Sequence, residues 1–92
     1  MPANDHLRLM STVGWQAQAG AVVAREPVPC LVRAVFADGY EAEAKATASA
    51  WSPQAVHVYF SHPDPSAGTA AYRVWVPLDH VRRLPRELVP GA

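Results

Sequence analysis

The sequence predicts a small all-β domain, an antiparallel barrel of five or six strands. Three observations predict it. Nine prolines divide the 92 residues into short segments, Asp38-Gly39 is typical of a hairpin turn, and the segments beside the turns alternate apolar and polar residues. Prolines at this density are incompatible with the heptads of a helical bundle. Short strands between regularly spaced turn residues are typical of small barrels and sandwiches.

Length, charge and cysteine content exclude several classes of protein. A chain of 92 residues holds one hydrophobic core, and its eight basic residues balance eight acidic ones, which argues against a general polyanion binder. The run Ala19–Ala24 is far shorter than the roughly 20 residues of a membrane-spanning helix. No secretory signal is visible. The single Cys30 cannot form an intrachain disulfide, so we expect a cytoplasmic protein. Because the apolar run is short, we also expect no binding to a membrane.

The first third of the chain is predicted to contain two strands. Residues 1–20 have no regular apolar period, and we expect them to form a flexible or loosely docked N-terminal segment. Adjacent β-branched valines predict a first strand at Ala21–Ala24. Pro27 and Pro29 then confine the chain to an edge or a turn. From Cys30 to Phe36 every second residue is apolar, which predicts the next strand.

Helix and strand patterns compete in the segment 40–50. From its third residue every second residue is alanine, with polar residues between, an alternation typical of a half-buried strand. Alanine, glutamate and lysine are also good helix formers, and Glu41 and Lys45 stand at the spacing of a helical ion pair. The alternation and the Asp-Gly turn lead us to predict a strand. A three-residue loop ending at Gly39, with this glycine in the left-handed region, keeps the apolar faces together.

The last third of the chain continues the strand pattern. Ala55–Phe60 and Ala71–Val76 alternate apolar with polar or aromatic residues and are predicted strands. The proline-rich stretch between them is predicted to be a loop. Val81–Leu84 is predicted to form a short last strand, and residues 85–92 a C-terminal tail. The predicted barrel therefore spans residues 21–84.

A strand, a proline-led turn and a short final strand follow one another in the sequence VWVPLDHVRRL, residues 74–84. This succession resembles the end of an SH3-like barrel, and the strand order before it is similar to that superfold and its Tudor-like relatives. The chain is also similar to small uncharacterised actinobacterial proteins with a WVP…VRR pattern. The resemblance implies an SH3-like small barrel. Because the loop is not acidic and Trp51 precedes a turn, it does not imply binding of proline-rich peptides.

The sequence contains no recognisable catalytic or metal-binding motif. Its four histidines do not stand at the spacing of a zinc site, and Cys30 cannot supply a pair of thiolates. The serines lie in turns without the sequence of a nucleophile elbow. We therefore expect a protein that is not an enzyme and that carries no metal or cofactor.

The candidate binding site lies on the hairpin of the strands Ala55–Phe60 and Ala71–Val76. Keeping the apolar faces together requires a register of even pairing sum, such as Phe60 with Tyr72 and Val58 with Val74. That register places four side chains in one patch on the other face: His57, Tyr59, Arg73 and Trp75. Aromatic and arginine side chains are enriched at interface hot spots. The sequence thus predicts a module that binds a protein segment or a second copy of itself.

Two alternatives to this prediction stay open. The first is that the chain covers the patch itself, with Leu9, Val13 and Trp15 of the N-terminal segment folded over it. The second is a nucleic-acid-binding accessory domain. It would contact phosphates through the basic cluster near the C-terminal end, which consists of Arg82, Arg83 and Arg86.

Overall fold

The structure, a computed structural model, describes residues 5–84. The predicted tail 85–92 and residues 1–4 lie outside this range. Five strands follow one another: β1 (Val22–Val35), β2 (Glu41–Trp51), β3 (Ala55–Ser61), β4 (Ala71–Pro77) and β5 (Val81–Arg83). The helical segments of the described residues are single 3-10 turns, at Asp5–Leu7, Trp15–Gln18, Pro65–Ala67 and Leu78–His80. The all-β prediction is therefore confirmed.

The strands form one antiparallel sheet in the order β4-β3-β2-β1-β5. Strands β2, β3 and β4 follow one another as a meander, and the chain then returns through the 3-10 turn Leu78–His80. This return places β5 along Cys30–Val32 of β1, on the side that β2 leaves free. The strand order agrees with a small barrel-like fold, whereas the resemblance to the SH3-like superfold stays a prediction.

Strand β1 is longer than the sequence predicted. The prolines were expected to separate two strands with an edge or turn, but residues Val22–Val35 form one strand of 14 residues. The pairing with β2 shifts its register between Val23 and Val28. A proline cannot donate a ladder hydrogen bond, and a bulge tolerates it because the ladder is already interrupted there. Pro27 therefore lies where the regular pairing of β1 with β2 is interrupted, and the strand continues beyond it.

Strand β2 is extended, as the alternation predicted, and it is not helical. Its inner face consists of buried alanines at positions 44, 46, 48 and 50. The loop before it has the predicted three residues, because Phe36 N–H donates to the carbonyl of Tyr40 over 2.9 Å. Gly39 has a φ of 91°, a conformation that a residue with a Cβ rarely adopts. Local sequence thus determines this hairpin.

The core lies on the inner face of the sheet. Its largest fully buried side chains come from β1, β3, β4 and the residue after β1: Phe36, Phe60, Val32, Val58, Val76 and Cys30. The register places Ala46 opposite both Cys30 and Phe60. Small side chains on the central strand leave room for the larger ones of its neighbours, which is how interiors reach crystal-like packing.

An N-terminal strap, residues 6–13, crosses from the end of β1 to the edge of β4. Leu9 pairs with Phe36 as an antiparallel bridge. Met10 N–H donates to the carbonyl of Val35 over 2.7 Å, and Ala37 N–H donates to that of Arg8 over 2.8 Å. Of the two expectations for the N-terminal segment, flexible or docked, the described part is docked. The strap thus joins the five-stranded sheet through one isolated bridge.

Two side chains hold the beginning of the strap. The hydroxyl of Tyr72 donates to the carbonyl of Leu7 over 2.6 Å. The Nε2–H of His62 donates to the carbonyl of His6 over 2.8 Å. Its Nδ1 accepts from Asp64 N–H over 3.0 Å, so both nitrogens of the buried imidazole have hydrogen-bond partners. Burial of these polar groups is tolerated because each has a partner.

Phe60→Ala is expected to lower the free energy of unfolding by about 3–5 kcal/mol, since it leaves a cavity in the core. Its neighbour Tyr59 points to the outer face, so the control Tyr59→Ala should cost less than about 1 kcal/mol. Urea denaturation of both variants measures the two values. Equal costs for the two substitutions would contradict the assignment of faces.

Tyr72→Phe is expected to loosen the strap, because it removes the donor to the Leu7 carbonyl at a cost of about 0.5–1.5 kcal/mol. Hydrogen exchange at Met10 and Ala37, the amides that join the strap to β1, should accelerate several-fold. Tyr40→Phe is the matched control, since the hydroxyl of Tyr40 makes no hydrogen bond to residues 5–84. Unchanged exchange at both amides in Tyr72→Phe would show that the hydroxyl does not hold the strap.

Candidate interaction surface

The predicted register of the β3–β4 hairpin is confirmed. Val58 lies opposite Val74 and Phe60 opposite Tyr72 on the inner face. The same ladder places His57 opposite Trp75 and Tyr59 opposite Arg73 on the outer face. The structure therefore brings together all four side chains that the sequence selected. We call these four residues the hairpin patch.

One half of the hairpin patch is open to solvent. Tyr59 is 44% exposed, and Arg73 is exposed beside it. The Cζ atom of Arg73 lies 5.0 Å from the centroid of the Tyr59 ring. A cation over an aromatic face at an exposed site contributes about 0.5–1 kcal/mol. The stacked pair therefore presents a flat aromatic and a cation together on the surface.

The other half of the patch is partly covered. His57 and Trp75 are half-buried, with their ring centroids 5.4 Å apart and the ring planes inclined by 58°. The Nδ1 atom of His57 lies 2.7 Å from the Ser49 hydroxyl and shares a hydrogen bond with it. Ser49 lies where the β2–β3 register shifts, between Ala48 and Ala50. The bulge thus gives His57 a polar partner on the adjacent strand.

The N-terminal segment reaches the covered half and leaves the open half free. Val13 N–H donates to the carbonyl of Trp75 over 3.1 Å, along the outer edge of β4. Leu9 packs against the hydrophobic core instead of the patch, and the side chain of Trp15 lies outside the described part. The described part of the N-terminal segment therefore reaches the hairpin patch at Trp75, through the backbone of Val13. Tyr59 and Arg73 stay open.

A groove adjoins the open half and was missed by sequence reasoning. The ladders align Pro29 with Thr47, Thr47 with Tyr59 and Tyr59 with Arg73, as a row across four strands of the outer face. Beside this row lies a groove of about 360 Å³, lined by Pro29, Lys45, Ala46, Thr47, Tyr59, Phe60, Ser61 and Leu84. The alternation of each strand shows which residues face outward. The β1–β2 register, which the sequence left undetermined, was needed to align them.

The arginines of the basic cluster do not form one surface. Arg82 donates to both carboxylate oxygens of Glu43, from Nε over 2.7 Å and from Nη2 over 2.9 Å. Arg83 faces the other side of β5, where it lines a cavity of about 230 Å³ together with Cys30. Arg86 lies outside the described residues. Of the predicted nucleic-acid contacts, Arg82 is therefore paired with a carboxylate, and Arg83 lies on the opposite face of β5.

Ion pairs on the outer face also shift the pKa of a carboxyl group. The hydrogen bonds from Arg82, and its positive charge, lower the pKa of Glu43. A second pair joins Arg33 and Glu41 over 3.1 Å. Both acidic residues at the beginning of β2 are thus engaged by arginines of β1 and β5.

The cysteine of residues 5–84, Cys30, is buried. Burial raises the pKa of the Cys30 thiol, and a protonated thiol is a poor nucleophile. Within the described range no three side chains of histidine, cysteine, aspartate or glutamate converge as a metal site would require. No helix in the same range is long and apolar enough to cross a membrane.

Comparison with known proteins adds no relative to this description. No protein-family model, no curated protein and no solved structure matches the chain.

The Glu43–Arg82 pair predicts a pH dependence of stability. Because the folded-state pKa of Glu43 lies below its unfolded value, the pair stabilises the fold above the unfolded pKa, and the stabilisation is lost as the pH falls through the folded pKa. Thermal denaturation of Glu43→Gln should therefore show a smaller loss of stability between pH 6 and pH 3 than the parent chain.

Two arginine variants separate this pair from a general effect of charge. Arg82→Ala should show the same reduced pH dependence as Glu43→Gln, whereas Arg83→Ala should behave as the parent chain does. All of these variants should stay folded at pH 7, since exposed ion pairs contribute little to stability. Equal pH profiles for Arg82→Ala and Arg83→Ala would contradict the assignment of the pair.

Proposed function

We propose that this protein is a non-enzymatic interaction module, and that it binds a segment of another protein on the outer face of its sheet. The binding surface consists of the open half of the hairpin patch, Tyr59 and Arg73, together with the adjoining groove. The observation that carries the proposal is the stacked Tyr59–Arg73 pair, which stands exposed beside an apolar groove. We place this binding in the cytoplasm, in keeping with a single buried thiol.

Rigidity of the surface supports this proposal. Tyr59 lies in the middle of β3, which is paired with β2 on one side and β4 on the other. A tyrosine on a rigid strand gives a large contact area and loses little conformational entropy on binding. Arg73 is already held over the ring before a partner arrives, so less ordering of side chains is required. Such preorganised aromatic and arginine side chains are typical of hot spots.

The groove supports a partner segment in extended conformation. Its lining comes from β1, β2, β3 and the residue after β5, so it crosses the strands of one face. Phe60 and Ala46 turn their side chains into the core, where both are buried, and they contribute mainly backbone to the floor. A shallow apolar depression of this kind suits one or two side chains of a peptide better than an enclosed small molecule.

Selection of peptides tests the proposal. A phage-displayed library of random 12-residue peptides is selected on the wild-type protein, and the enriched peptides are measured by fluorescence anisotropy. Binding should weaken at least tenfold in Tyr59→Ala/Arg73→Ala, because hot-spot truncations typically cost more than about 1.4 kcal/mol. The matched control is Arg33→Ala/Glu41→Ala, which changes two exposed residues of the same face and should retain the affinity.

Other outcomes would contradict the proposal. No enriched peptide, or equal affinity for the wild type and Tyr59→Ala/Arg73→Ala, would exclude this surface as a peptide site. Sedimentation velocity over a wide range of concentrations shows whether a second copy occupies the surface instead. Salt-sensitive binding of a 12-nucleotide oligo(dT), lost in Arg82→Ala/Arg83→Ala, would favour the nucleic-acid alternative.

A further inference from the structure

The groove beside Tyr59 combines an apolar lining with one sign of charge. Pro29, Tyr59 and Leu84 contribute apolar surface, and Thr47 and Ser61 contribute hydroxyl groups. The volume of about 360 Å³ lies at the lower end of the range for ligand sites. It accommodates one large side chain and a short stretch of backbone. Lys45 is the charged residue of the described lining, which contains no carboxylate.

Positive charge at the groove is unopposed by the described chain. The carboxylates nearest to Lys45 along β2, Glu41 and Glu43, are held by Arg33 and Arg82. Within residues 6–84 no carboxylate oxygen lies within 4.0 Å of the side-chain nitrogens of Lys45 or of Arg73. A negative group of a partner therefore meets these cations without competition from the carboxylates of residues 6–84.

The two cations flank the Tyr59 ring. Thr47, Tyr59 and Arg73 are neighbours on three adjacent strands, and Lys45 precedes Thr47 by two residues on the same face. Standard strand spacing then separates the Cα atoms of Lys45 and Arg73 by about 12 Å. Both side chains are long enough to converge on a group placed at the edge of the ring between them. A carboxylate at that point would accept hydrogen bonds from either side chain.

We infer that the groove recognises a peptide segment in which a large apolar side chain stands next to a carboxylate. The apolar side chain lies against Pro29, Tyr59 and Leu84, and the carboxylate lies between Lys45 and Arg73. This inference rests on the proposed function and adds to it the chemistry of the partner. Charge complementarity selects an acidic partner, because the described groove offers cations and no anion.

A pair of small probes tests this chemistry directly. N-acetyl-L-phenylalaninate carries both recognised groups, whereas N-acetyl-L-phenylalaninamide has the same side chain without the charge. In titrations followed by ¹⁵N–¹H NMR, the carboxylate should shift the amides of Thr47, Tyr59 and Ser61, with a dissociation constant in the millimolar range for a ligand of this size. The amide should bind about threefold or more weakly, the factor that one exposed ion pair provides.

Two charge-matched variants locate the carboxylate. Lys45→Gln should reduce the difference between the two probes, because Arg73 alone is left to meet the carboxylate, whereas Arg25→Gln, which changes an exposed cation in the first half of β1, should retain it in full. Equal binding of the carboxylate and the amide to the wild type would overturn the inference, as would shifts confined to residues away from the groove or no shifts at all.

The peptide selection described above keeps the two proposals distinguishable. Peptides that depend on Tyr59 and Arg73 but carry no acidic residue would support the interaction module and overturn the acidic partner. Dependence on Tyr59 and Arg73 together with enrichment of aspartate or glutamate beside an apolar residue would support both. Failure of the selection with a positive probe titration would retain the groove chemistry and exclude a linear peptide as the partner.

Discussion

Alanine on the inner face of the central strand is the constraint on which the rest of the structure depends. Strand β2 lies in the middle of the sheet, and its inward side chains are as small as side chains can be. The larger residues of β1 and β3, among them Val32, Val58 and Phe60, therefore meet over β2 in a single cluster. Larger residues at these alanine positions would overfill the core, since packed cores accommodate added volume poorly.

The exposed edge strands of a small sheet would pair with other chains unless they were covered. Strand β5 covers the middle of β1, and the N-terminal strap covers its end through the Leu9–Phe36 bridge. The strap then reaches β4 through the Val13–Trp75 hydrogen bond. This contact falls at the Trp75 end of the hairpin patch, where Trp75 and His57 are half-buried, whereas Tyr59 and Arg73 are exposed.

The charged side chains of the outer face fall into two groups. At one end of the face, Arg33 and Arg82 neutralise the two glutamates of β2. Beyond them, Lys45 and Arg73 stand on either side of Tyr59 without such partners in the described chain. A protein with zero formal net charge can therefore present a locally positive, partly apolar surface. Interface specificity depends on this local arrangement rather than on total charge.

The sequence by itself determined the features that depend on neighbours along the chain. Alternation with a period of two identified β2, β3 and β4 as strands and excluded β3–β4 registers shifted by one residue, because such a shift would turn every apolar side chain outward. The Asp38-Gly39 pair determined the loop before β2 for an equally local reason, since Gly39 adopts a positive φ. The four residues of the hairpin patch were predictable from these rules alone.

Tertiary structure decided the features that join distant parts of the chain. Tyr72 and Leu7 are 65 positions apart, and Arg82 and Glu43 are 39 positions apart. A local sequence pattern carries no information about partners so far apart. The docked strap and the Arg82–Glu43 pair therefore could not be predicted from the sequence. The groove beside Tyr59 likewise required the alignment of β1, β2 and β3 with the end of β5. Side-chain alternation specifies the face that a residue occupies, but only the pairing of strands specifies which residues become neighbours on that face.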